Sequence, residues 1–161
     1  SSYLQTRRYA GIMDALSEAN VPASNIREID YHTVFGSSAE STSSYKPYEE
    51  LFFPVNYTAV IGFNDLQSYS AMEILQKKGY RIPEDISLIS FDHLRKTHTY
   101  LPPLTSIADN SEKSIADTAV SILLDKIRNP SSEISSEVLP VSIFDDHTTG
   151  PINETFAHSF E

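Results

Sequence analysis

The sequence predicts an α/β fold, a parallel sheet with helices on both faces, and three observations carry that prediction. Thr58–Phe63 is a near-continuous apolar strand that stops on the polar pair Asn64–Asp65. A second apolar run, Ile86–Phe91, stops in the same way on Asp92–His93. Between them lies a helical stretch ending at Lys78–Gly79, a crossover of the length that parallel strands require. Strands without polar alternation belong in a sheet covered on both faces. Asn64 and Asp92 then end two strands at one sheet edge, about 5 Å apart or one strand further. That carboxyl edge is where open α/β sheets bind ligands. The alternative is that both residues cap the elements that follow, a role Asn and Asp favour.

The remaining elements follow from periodicity and punctuation. Tyr9, Ile12, Met13, Leu16 and Ala19 form one helical stripe, so a first helix over about Thr6–Ala19 is expected to lay that face on the sheet. Asn20 and Pro22 end it. Ile26–Tyr31 reads as a short strand, and Gly36 through the Ser/Thr-rich stretch to Ser44 as a loop. Tyr48–Phe53 reads as a short helix halted by Pro54. The helix after Asn64 should bury Ala71, Met72, Ile74 and Leu75 and stop at Lys77, Lys78 and Gly79, where positive charge and a glycine suit a helix end. Pro102–Ile107 is extended. A last helix is predicted over Ser111–Arg128 with Ile115, Ala119, Ile122, Leu123 and Ile127 inward, closed by Asn129–Pro130. Val138–Phe144 alternates as a strand, which Pro140 pushes toward an edge or an extended connection, and the tail beyond Gly150 is expected to be loose.

Composition narrows the function. A chain of 161 residues suits one domain, and 40% apolar residues suffice for a core. It has no Cys, which excludes a disulfide scaffold, a thiol nucleophile and a thiolate metal site. No run of about 18 apolar residues is present, so no membrane partner is expected. Lys and Arg number 12 against 22 Asp and Glu, and the net charge of −10 repels phosphate backbones, so this chain is not expected to grip nucleic acid by itself. Beginning on a helix with no strand before it suggests a piece of a longer polypeptide.

Four motifs then stand in one order: Arg7-Arg8-Tyr9-Ala10-Gly11, Tyr57 through Asn64-Asp65, Gly79-Tyr-Arg-Ile-Pro-Glu-Asp through Phe91-Asp92, and Pro102-Pro-Leu-Thr-Ser-Ile107. Together they resemble the effector-binding core of lactose/galactose-repressor-type bacterial transcription regulators, over roughly residues 6–150. The resemblance implies one lobe of a periplasmic-binding-protein-like two-lobe fold. It implies that residues 1–150 are the C-terminal effector-binding and dimerisation subdomain, with 151–161 a tail. It also implies a DNA-binding head and most of a first lobe outside this chain, a sugar or related small molecule as effector, operator DNA as partner through that head, a homodimer, and a cytoplasmic location. No cofactor is implied.

By the same resemblance Arg8, Asn64 and Asp92 match effector contacts and Tyr31 matches an aromatic wall, and Phe63 and His93 beside them complete the expected effector-binding set. The chemistry suits a sugar. A carboxylate accepts from two vicinal hydroxyls, a guanidinium offers a fork of donors, and an amide gives one of each. Tyr31, or failing it Phe35, could stack on the ring's C–H face. For Arg8 the alternative is a surface helix arginine, for Tyr31 a strand-end core aromatic, and for His93 an exposed histidine leading a helix, the last being favoured. Ser106, Asp109 and His93 depart from the family pattern, where Thr, Gln and a second Asp are usual.

No enzyme is expected. His93, His98, Asp145, Asp146 and His147 lack metal-ligand spacing, no phosphate loop occurs, and Ser90 lacks a nucleophile elbow. The alternative to a regulator is a sugar-binding receptor of a transport or chemosensory system, which uses the same fold. The isolated chain, with half a cleft and an acidic surface, is expected to bind neither effector nor DNA strongly.

Overall fold

The structure is a computed structural model that describes residues 3–29, 50–110, 114–133 and 136–160. The described residues form helices α1 (Tyr3–Glu18), α2 (Asp65–Lys77), α3 (Ile115–Arg128) and α4 (Glu154–Ala157) and strands β1 (Ala59–Ile61), β2 (Ser87–Phe91), β3 (Ser106–Asp109) and β4 (Val141–Phe144). The strands make a four-stranded sheet in the order β1-β2-β3-β4. β1, β2 and β3 are parallel, with Ile61 opposite Ile89 and Phe91 opposite Ile107.

The α/β prediction therefore holds, and the β1-α2-β2 unit lies where the apolar runs put it. The sheet is mixed rather than wholly parallel, because β4 runs antiparallel to β3 with Ile107 opposite Ile143. An edge strand answers to one neighbour only and can be added in either sense. β4 begins directly after Pro140, as the missing amide of proline requires.

α2 is fixed at both ends by local chemistry. Asn64 caps it by accepting a 2.9 Å bond from the Gln67 amide. At the other end Gly79 takes φ +92°, its amide bonds the Gln76 carbonyl at 3.0 Å, and the Tyr80 amide reaches the Leu75 carbonyl at 3.1 Å. Those two bonds make a Schellman ending, which a side chain at Gly79 would strain. Ala71, Met72, Ile74 and Leu75 are all buried, as their spacing predicts. Ala71 and Ile74 pack on Phe52, while Met72 meets Leu88 and Leu104 beneath the sheet. Each fully buried leucine contributes about 1.5–3 kcal/mol, so α2 is pinned between two apolar surfaces.

Elsewhere the expectations need correction. Ile26–Ile29 is not a strand; the backbone at Ile26 is extended, but Arg27 instead bonds the carbonyls of Leu51, Phe53 and Pro54. Residues 30 and 31 of that expected strand, and the Ser/Thr-rich loop, lie outside the described residues. Of the short helix expected over Tyr48–Phe53, residues 48 and 49 lie outside the described residues; Glu50 is helical, and Leu51 and Phe52 form a turn. On α1, Tyr9 is exposed and Ile12, Met13 and Leu16 are only half-buried.

α3 departs furthest. Ser114 caps it in a reciprocal box with Asp117, yet Ile115, Ala119, Leu123 and Ile127 of its expected inner face are exposed, and Thr118 is its only buried described residue. The periodicity marks an apolar stripe without saying what covers it. The tail is not loose. Asn153 caps α4 and bonds the Glu84 carbonyl at 3.1 Å, and Phe156 packs edge-on against Tyr80 at 5.8 Å.

After β4 the chain folds back along β2. The Leu88 amide bonds the Thr148 carbonyl at 2.7 Å, and the Thr148 hydroxyl donates to the Leu88 carbonyl at 2.7 Å. The Thr105 amide bonds that same hydroxyl at 2.9 Å. Thr148 thus occupies the place beside β2 that β3, starting only at Ser106, leaves open.

Candidate functional site

The β1–β2 register pairs Ile61 with Ile89, so three residues on, Asn64 and Asp92 leave the sheet at equivalent positions. From α1, Arg8 reaches this edge. Its Nη2 donates to Asp92 Oδ1 at 2.6 Å and its Nη1 to the Phe63 carbonyl at 2.8 Å. The guanidinium carbon lies 5.3 Å from the Phe63 ring centre and 4.9 Å from that of Phe91. Two aromatic faces thus hold the cation in place.

The Arg8 and Asp92 side chains are 26% and 40% exposed. A half-open ion pair of this kind adds little stability, within about 1 kcal/mol. Asp92 Oδ2 takes part in no described hydrogen bond, and the Phe63 and Phe91 rings lie against the guanidinium. Asn64 spends its Oδ1 on the helix cap and keeps its Nδ2 toward other partners. The capping alternative is therefore realised for Asn64 without using up its amide.

Asp92 and the following residue have unusual backbones. φ is +100° at Asp92 and +50° at His93, a region where L-residues are rarely found. His93 does lead a helix, the short 3-10 turn Leu94–Lys96, but it is half-buried rather than exposed. Its ring packs on Phe144 of β4 at 4.2 Å, and its Nδ1 is buried with no described partner. The histidine therefore faces β4. Tyr31 and Phe35 lie outside the described residues.

Sequence reasoning missed the support beneath this edge. Asp65, 1% exposed, accepts from the Ser106 hydroxyl at 2.8 Å through Oδ1 and from the Leu94 amide at 2.6 Å through Oδ2. The Ser106 hydroxyl in turn accepts from the His93 amide at 2.9 Å. Nearby, the Ser68 hydroxyl pairs with Ser90 at 2.7 Å and donates to the Asn64 carbonyl. Further along, Arg95 joins the Leu101 carbonyl to Asp146 at 2.7 Å, and its hydrogen bond holds the Asp146 carboxyl below the usual carboxylate range. The available signal was an acidic residue in the first turn of α2 followed by small hydroxyl residues at strand ends.

The model of the periplasmic binding protein-like domain matches residues 1–149 of this chain. The chain belongs to that family. The periplasmic-binding-protein-like chain is 34% identical over 127 residues to the HTH-type transcriptional repressor PurR of Aliivibrio salmonicida, a match covering 78% of this chain and 36% of the repressor. It therefore spans about a third of that relative's length.

Among solved structures, a LacI family transcriptional regulator from Enterococcus faecium with bound ribose shares the fold, with a TM-score of 0.70 and 23% identity over 92% of this chain and 53% of that one. A second LacI family regulator with bound ribose, from Enterococcus faecalis, is 26% identical with a TM-score of 0.59, covering 70% of this chain and 42% of that one. The resemblance to lactose/galactose-repressor-type regulators is thus borne out. No helix among the described residues of this periplasmic-binding-protein-like chain is long and apolar enough to cross a membrane.

Proposed function

We propose that this chain is the effector-sensing and dimerising core of a transcription regulator of the LacI type, acting in the cytoplasm, with residues 1–150 as its C-terminal effector-binding subdomain. The observation that carries the reading is the Arg8–Asp92 pair on an aromatic floor, beside Asn64, at the carboxyl edge of two in-register parallel strands. An ion pair neutral overall, with a carboxylate oxygen and an amide to spare, suits an uncharged polyhydroxylated ligand such as a sugar. The ribose-bound relatives support that class.

A repressor relative of 34% identity favours a regulator over a transport receptor. Operator DNA would be met by a head outside this chain, whose net charge of −10 disfavours direct contact. The exposed apolar side chains of α3, with Val141 and Ile143 on β4, are surface that a second copy would remove from water. In this reading the regulator is a homodimer.

The test is calorimetric titration of the full-length protein with D-ribose, wild type against Asp92→Ala. Loss of charged hydrogen bonds should weaken binding about tenfold to a hundredfold, with little change in melting temperature. Equal affinities in the two proteins would remove Asp92 from the site.

A further inference from the structure

We propose that Asp65 is a positioning residue: its buried carboxylate sets the backbone of the 92–94 turn and thereby aims Asp92 at the ligand. This inference rests on the reading of the Asp92 edge as the effector site. Three successive amides are held in place there. That of Asp92 bonds the Ile107 carbonyl at 2.9 Å, that of His93 the Ser106 hydroxyl at 2.9 Å, and that of Leu94 Asp65 Oδ2 at 2.6 Å. Two of the three depend on Asp65, one directly and one through Ser106, whose hydroxyl proton goes to Asp65 Oδ1.

The residue type is dictated by this wiring. A carboxylate accepts on both oxygens, so it can take the Leu94 amide and the Ser106 hydroxyl at once; an amide side chain would turn a donor toward one of them. Neither partner is a cation. The buried charge is offset by the amino-terminal end of α2, where Asp65 is the first helical residue, and by its two donors.

Asp92 holds φ +100°, a conformation rare for a non-glycine residue, and the Asp65–Ser106 pair fixes the two amides that follow it. Strain of this sort persists where the surroundings over-determine it. Asp65 and Ser106, 1% and 0% exposed, do not meet ligand themselves.

The experiment compares Asp65→Asn, Asp65→Ala, Ser106→Ala and Asp92→Ala with wild type in the full-length protein. One arm measures amide-proton exchange and the HN–Hα couplings that report φ at Asp92, His93 and Leu94, with Leu88 as internal reference. The other measures D-ribose affinity. Exchange at His93 and Leu94 should quicken about tenfold in Asp65→Asn, and at His93 in Ser106→Ala, while Leu88 is unchanged. D-ribose affinity should fall about tenfold in Asp65→Asn, approaching that of Asp92→Ala.

If Asp65→Ala fails to fold, the Asn and Ser106→Ala variants still decide the matter. Couplings and exchange at 92–94 that match wild type would overturn the proposal, leaving Asp65 a purely structural residue. So would an altered turn with undiminished affinity, if Asp92→Ala does weaken binding. If wild type and Asp92→Ala do not differ toward D-ribose, or neither binds it, the reading of the site fails for that sugar, and the exchange arm alone settles whether Asp65 sets the turn.

Discussion

Gly62 leads β1 into Asn64, and a methyl group there should be costly. A Cβ built on Gly62 would lie 1.7 Å from Ser68 Oγ, 3.0 Å from Ser68 Cβ and 3.4 Å from Ser68 Cα. The hydroxyl cannot stay where it is. Rotating it away breaks its 2.7 Å bond to Ser90, which is wholly buried, at about 1–2 kcal/mol. The remaining Cβ–Cβ approach must be relieved by shifting α2 or β1, an overpacking cost of about 1–3 kcal/mol. Alanine recovers about 0.4–1 kcal/mol through the unfolded chain. Gly62→Ala should therefore lose roughly 1–4.5 kcal/mol, a fall of about 3–14 °C in melting temperature for a chain of this size.

Thermal unfolding followed by circular dichroism measures this directly. Pairing Gly62→Ala with Ser68→Gly leaves only the Cα at 3.4 Å, so the double variant should recover the overpacking part and exceed Gly62→Ala in stability. A melting temperature unchanged in Gly62→Ala, or a double variant less stable than the sum of its parts, would refute the reasoning.

Asp85 is held down to about 2, chiefly by the side-chain hydrogen bond from Arg81. Its folded pKa lies below the unfolded value, so the pair stabilises the fold above about pH 4 and loses that contribution as pH falls through about 2. The contribution is at most about 2 kcal/mol and nearer 1 given the 65% exposure of the Arg81 side chain. Urea unfolding of Asp85→Asn should thus show a deficit at pH 7 that closes toward pH 2, and a deficit independent of pH would contradict it. Thr148→Val removes the hydroxyl joining the Leu88 carbonyl to the Thr105 amide and should cost about 2–4 kcal/mol, read from the urea midpoint; a cost under half of that would mean water replaces the bonds. Light scattering of the 161-residue chain should exceed the monomer mass of 18.0 kDa, and a monomer at tens of micromolar would remove this chain's apolar face as a self-association surface.

The β1-α2-β2 unit was legible because its signals are local and agree with one another. Apolar strands, the Asn64 cap and the Gly79 ending each specify one conformation without help from distant residues. The Asn64–Asp92 edge followed from topology, and Arg8 only from the family likeness, since nothing in α1 alone says which way an arginine points. What stayed illegible depends on partners far along the chain. The face of α3 was read correctly as apolar, but burial is a property of the neighbour and not of the stripe. Ile26–Ile29 has strand-like composition, yet a strand also needs a ladder, and Arg27 ties the segment to the 51–54 turn instead. Asp65 beside Asn64 is silent in the sequence because its use, bonding residues 29 and 41 positions away, leaves no periodic trace.

The insertion of Thr148 beside β2 has a kinetic consequence. β2 is walled on that side by two pieces of chain, residues 105–107 toward the carboxyl edge and Thr148 toward the other, and the second comes from 60 positions away. The β1-α2-β2 unit closes over short loops and can assemble early; the Thr148 latch, with its larger loop-closure cost, is suited to engage last. An interaction made after the folding barrier slows unfolding without speeding folding. The latch would then act as a brake on the native state's escape, setting how long the lobe persists once formed while leaving the rate at which it forms to its amino-terminal two-thirds.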